Sequence, residues 1–180
     1  FSVFREPAAP SIAAAVEGRL PVRVHCHAEE DIRTALELKR EYGLTLSLEH
    51  ATEAWKCLPE IREAGVPVIA GPFFVGRPKK EMACPDRELV RKLLEAEIPC
   101  SFMTDYPSNP PEMLRNALLE TIRWGAGEEE AYRLITTGSA ELLGVGNRVG
   151  SLEAGKDADL VVHSHSPFDS RDRILEVYIK

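Results

Sequence analysis

The sequence predicts an α/β protein built on a parallel sheet, followed by a small all-β segment. Three observations predict this. Short β-branched runs alternate with stretches of helical periodicity, glycines close the helices, and the composition changes abruptly after Leu143. Strands alternating with helices of this length imply right-handed crossovers and a parallel sheet. Four successive units fit either half of a (β/α)8 barrel or an open doubly wound sheet. The expected division is a strand–helix region over residues 1–143 and a β module over residues 144–180.

The first unit opens with Pro21 to His27 (PVRVHCH), an alternating strand with Val22, Val24 and Cys26 on one face. Arg23, His25 and His27 share the other. A helix is expected from about Glu29 to Tyr42, buried through Ile32, Ala35, Leu36 and Leu38 and stopped by Gly43. Leu44 to His50 (LTLSLEH) is the second strand. Thr52 can cap the next helix, where Ala54, Trp55, Leu58, Ile61 and Ala64 recur at helical spacing before Gly65. Val66 to Gly71 is a third, almost wholly apolar strand. A loop rich in Gly, Pro and Lys runs from Pro72 to about Cys84, long enough to suggest function. Asp86 can cap a helix packing through Leu89, Val90, Leu93 and Leu94. The fourth strand, Ile98 to Asp105, runs into YPSNPP, whose prolines delay the next helix until about Pro111. Two shorter helices follow to Leu143. Beyond it, short strands are expected at Asp159 to Val162 and Ile174 to Ile179.

With 180 residues, 44% hydrophobic and 28% charged, the chain has the composition of a soluble globular protein. A net charge of −7 argues against nucleic acid or an anionic membrane as partner. The densest basic group, Arg77, Lys79 and Lys80, reads as a solvated loop. No apolar run has the length of a membrane span, and no export signal is evident, so a cytoplasmic location is expected. Cys26, Cys57, Cys84 and Cys100 lie far apart, which fits a reducing compartment and not a disulfide framework or zinc ribbon. The chain starts at Phe1 and stops at Lys180 inside a strand-like run, so both ends read as cut.

His25, His50 and Asp105 fall at the C-terminal ends of parallel strands, where ligand sites form in such folds. Imidazole nitrogens and a carboxylate together suit Zn²⁺ or a similar divalent ion. Structural alternatives stand beside each: a hydrogen-bonded loop histidine, Asp105 binding its own turn, Glu49 as partner or solvated end. Parity adds a constraint. In a regular strand His50 would share the face of Leu44, Leu46 and Leu48, so it must lie past the regular end or after a bulge. His163 and His165 read as surface strand residues, and Cys26 as buried. No GxSxG, P-loop or GxGxxG stands in a usable context.

The run VHCHAEEDIRTALELKREYGLTLSLEHATEAW is similar to the fifth and sixth strand segments of imidazolonepropionase-like amidohydrolases. GVPVIAGP resembles their seventh strand, FMTDYPSNPP their eighth, and NRVGSLEAGKDADLVV the return into a small β-sandwich. The resemblance implies a partial (β/α)8 barrel, strands five to eight, ahead of part of that sandwich. It implies His25 as a metal ligand, with His27 as alternative ligand or substrate contact. It makes His50 a ligand or substrate-polarising group, and Asp105 both metal-linked and the general base. The implied cofactor is zinc, with iron or manganese as alternatives. The implied reaction is hydrolysis of a C–N bond in a small cyclic amide, peptide or deaminase-type substrate by a metal-activated water.

The resemblance also implies an HxH motif and four strands that would precede Phe1. A half-barrel leaves unpaired strand edges. Association is therefore expected, as a homo-oligomer or with an N-terminal half. The competing expectations are a non-catalytic half-barrel serving assembly or binding, and an open binding domain with structural histidines.

Overall fold

Alternation of β-branched and helix-forming segments produces the expected parallel α/β architecture in the computed structural model, which describes residues 9–73, 80–82 and 84–180. Strands β1 (Val22–Cys26), β2 (Leu46–His50), β3 (Val68–Ala70) and β4 (Cys100–Phe102) form one parallel sheet in the order β1-β2-β3-β4. Among the described residues the sheet does not close on itself, so β1 and β4 are edges. The strands are shorter than the apolar runs suggest, because the runs continue into turns that leave the ladder.

Helix α1 (Ala9–Val16), an alanine-rich segment absent from the sequence expectations, precedes β1. Helix α2 occupies Glu29–Tyr42, as expected, but Leu38, expected on its buried side, is exposed. Its first turn carries Glu29, Glu30 and Asp31 and its last Lys39 and Arg40, the arrangement that the helix dipole favours. Gly43 ends it at φ 66, a left-handed conformation suited to glycine.

The next helix departs from expectation. A 3₁₀ turn (Ala54–Lys56) precedes a separate helix α3 (Leu58–Ala64), with Cys57 between them at φ −137. Pro59 explains the break: its ring would meet the carbonyl four residues back, that of Trp55, in one continuous helix. Thr52 therefore caps nothing, and its hydroxyl turns to His27 instead.

Helix α4 (Leu89–Glu95) is entered through a turn in which Asp86 Oδ1 accepts the Glu88 amide at 2.8 Å. Most of the loop expected between residues 72 and 84, with Arg77 and Lys79, lies outside the described residues; Lys80–Met82 forms a 3₁₀ turn. Helix α5 (Met113–Arg123) starts just past the prolines, and α6 (Glu128–Arg133) and α7 (Thr137–Leu142) follow. The strands β5 (Leu160–His163) and β6 (Ile174–Tyr178) then pair antiparallel in a sheet of their own.

Register divides the main sheet into two faces. Cys26, Leu48, Val68, Ala70, Cys100 and Phe102 join Ile32, Ile61, Leu93 and Leu118 in the core between sheet and helices. The other face carries Arg23 opposite Ser47, and His25 opposite Glu49, which lies across from Ile69. This second face is the polar one, and it leads to the histidines. No described helix is long and apolar enough to cross a membrane.

Candidate metal centre

His25 stands on the polar face of β1, and His27 follows one residue past the strand end. By alternation His50 belongs on the opposite face, since it lies in register with Cys26 and Ala70. The backbone reverses that placement. His50 has φ 68 and Ala51 φ 45, two successive left-handed residues without glycine. The Ala51 amide donates both to Glu49 O and to Cys26 O, each at 2.9 Å, closing a γ-turn around His50. Each left-handed residue costs on the order of 1 kcal/mol or more, so the turn has to be held by its surroundings. No bulge is involved; the turn itself carries the imidazole across.

The three rings meet at the strand ends. Centroids of His25 and His50 lie 4.4 Å apart, those of His27 and His50 4.5 Å, and those of His25 and His27 4.9 Å. One ring nitrogen from each lies within 4.8 Å of the others. His27 and His50 are buried, whereas His25 is exposed.

Hydrogen bonds orient two of the rings. His50 Nδ1 lies 2.6 Å from the Gly71 carbonyl oxygen. A carbonyl only accepts, so Nδ1 carries the proton and Nε2 holds the lone pair. His27 Nδ1 contacts Thr52 Oγ1 at 2.7 Å, and the Glu53 amide donates to His27 O at 3.0 Å. Burial lowers the His50 pKa, and His25 acts in the same sense, against the Gly71 bond and the charges of Asp105 and Glu49. His50 is thereby kept neutral, the form a metal ligand needs.

Asp105 lies three residues beyond β4 at φ 54. Its Oδ2 accepts Ser108 Oγ at 3.0 Å and its carbonyl the Ser108 amide at 2.7 Å. It is outside the group of three converging ligand atoms, although its charge reaches His50.

The remaining sequence candidates have other places. Cys26 is buried, and burial pushes its thiol up to about 12. His163 Nδ1 contacts Asp172 Oδ2 at 2.6 Å, away from the cluster. Burial alone would raise the Asp172 carboxyl, but the His163 hydrogen bond helps to hold it below its usual range. Thr52 and Gly71 are the residues that sequence reasoning missed. Thr52 was legible in principle, because Pro59 already argues against a helix starting at residue 52.

Comparison with known proteins fits this geometry. Residues 11–180 match the amidohydrolase family, and the chain belongs to that family of metal-dependent hydrolases. It is 24% identical over 179 residues to the amidohydrolase tasK of Hapsidospora irregularis, a match covering 94% of this chain and 18% of that protein. Similarity to the imidazolonepropionase of Thermoplasma acidophilum is 30% over 162 residues, covering 88% of this chain and 38% of the relative. Among solved structures, an amidohydrolase from Thermotoga maritima superposes with a TM-score of 0.92 at 35% identity, covering 99% of this chain and 47% of the other. The chain thus spans less than half the length of each of these proteins.

Proposed function

We propose that this chain provides strands five to eight of a (β/α)8 hydrolase, and that His25, His27 and His50 hold a divalent cation there. The convergence of three imidazoles at the strand ends carries this reading. The donors fit the ion: a set of nitrogen ligands suits zinc, with iron or manganese as alternatives. His50, neutral and with its lone pair on Nε2, is prepared to bind before any ion arrives. When bound, the ion would polarise a substrate carbonyl and acidify a water.

The chain's own groups then have distinct tasks. His27 and His50 are fixed by Thr52 and Gly71, so they hold their geometry without the substrate's help. Exposed His25 closes the site on the solvent side. Asp105, on a solvent-exposed turn whose charge reaches His50, is the group to accept a proton from the attacking water and return it to a leaving nitrogen. The substrate is a small molecule with a C–N bond, cyclic amide, peptide or deaminase-type. The remaining strands and ligands would come from polypeptide outside these residues, consistent with the partial coverage of the relatives. The Ser108 bonds of Asp105 favour one competing reading, a binding or assembly half-barrel that uses no base.

Calorimetric titration with Zn²⁺ tests the proposal. One ion per chain is expected, with binding lost or weakened at least about tenfold in His25→Ala and His50→Ala. Folded protein that takes up no Zn²⁺, or variants that bind like wild type, would overturn it.

A further inference from the structure

We propose that Glu49 is a positioning residue for His25, its carboxylate accepting the outer ring N–H of His25 when a divalent cation occupies the three-imidazole site. This rests on the metal-site reading above.

The register supplies the first observation. His25 and Glu49 are direct partners across β1 and β2, on the face they share with Arg23 and Ser47. The second is the state of the carboxylate. Its side chain is only 12% exposed, with Ser47 Oγ donating to Oε1 at 2.7 Å and Arg23 Nη1 to the same oxygen at 3.3 Å. A screened anion lies beside the histidines, and its charge acts on His50. The third is the pattern of the other two rings, each with Nδ1 already against an oxygen, from Thr52 and from Gly71. Ligating imidazoles are ordinarily oriented by such an oxygen on the nitrogen facing away from the metal. Glu49 is the carboxylate that the sheet sets next to the third ring.

The exchange this requires is small. The Arg23 side chain is 54% exposed and its contact long, so the bond gives way readily to water. A dication held by neutral imidazoles draws the carboxylate toward His25 and disfavours the guanidinium. Glu49 thus trades one cationic partner for another and keeps its Ser47 bond.

Zn²⁺ affinity, measured by competition with a chromophoric chelator, separates this role from a general field effect. Glu49→Gln is expected to bind about 10- to 100-fold more weakly, with unchanged melting of the metal-free protein. Arg23→Ala should bind at least as tightly as wild type. In a His25→Ala background, Glu49→Gln should add nothing. Wild-type affinity in Glu49→Gln, or the same loss with and without His25, would overturn the inference. Should Glu49→Gln not fold, the Zn²⁺-loaded wild type answers by ¹⁵N–¹H spectroscopy of the His25 ring. A slowly exchanging, strongly deshielded outer N–H supports the role, and a fast-exchanging one contradicts it. A wild type that binds no Zn²⁺ would remove the metal-site reading itself; a binding wild type with an indifferent Glu49 removes only this inference.

Discussion

His50 holds its position through backbone conformation more than through side-chain packing. Alternation along LTLSLEH assigns it to the apolar face, and that conflict with a ligand role is visible in the sequence alone. What the sequence does not reveal is the remedy, because nothing marks His50 and Ala51 as left-handed; both are ordinary L-residues without glycine's freedom. The lowered pKa of His50 has a consequence for the metal-free chain. Below the ordinary imidazole value of about 6.5 the unfolded chain takes up a proton that the folded site resists, so stability falls as pH drops. Chemical denaturation in chelator between pH 7 and 5 should show this decline, and His50→Gln should flatten it. The cysteines give a second check at this scale. Burial holds Cys26 and Cys100 up at about 12 and Cys57 at about 11, whereas Cys84 is exposed. Mass spectrometry after mild iodoacetamide treatment of native protein at neutral pH should find Cys84 alkylated and the other three intact.

Elements were legible where one signal dominated. Helix α2 was readable in extent, since the helical spacing of Ile32, Ala35 and Leu36 and the closing glycine agree, although Leu38 is exposed. The Thr52 expectation failed because an N-cap threonine and a ring-orienting threonine look alike in sequence, and only Pro59 distinguishes them. Strand ends were overestimated wherever apolar residues continue into turns, as at Gly71. That glycine has φ 121, and a Cβ there would lie 2.3 Å from the Met103 carbonyl oxygen. Its own carbonyl orients His50. Gly71→Ala should therefore cost roughly 2–3 kcal/mol and also weaken Zn²⁺ binding, whereas Gly43→Ala, left-handed but in open space, should cost about 1 kcal/mol. Urea denaturation with parallel metal titration distinguishes the two.

At the scale of the molecule, the main sheet has two unpaired edge strands among the described residues, and the small β5–β6 sheet carries exposed Ile174, Leu175, Val177 and Tyr178. Such surfaces invite pairing. Sedimentation should find the isolated chain associated, and Val177→Lys should shift it toward the monomer; a wild type that is monomeric at all concentrations would contradict this. The parallel α/β order was legible because periodicity reports local structure. The choice between a half-barrel and an open doubly wound sheet was not, because four strand–helix units fit either, and in the described residues the sheet is open. The site was legible in part: three imidazoles converge at the strand ends of one sheet, but Asp105 stays on its own turn.

X-ray absorption at the zinc edge of the Zn²⁺-loaded chain reads directly whether His25, His27 and His50 form a cation site. The expected spectrum has nitrogen neighbours at about 2.0–2.1 Å, with the outer-shell scattering of three imidazoles. A first shell of oxygen or sulfur without imidazole scattering would show that the three histidines do not hold the ion.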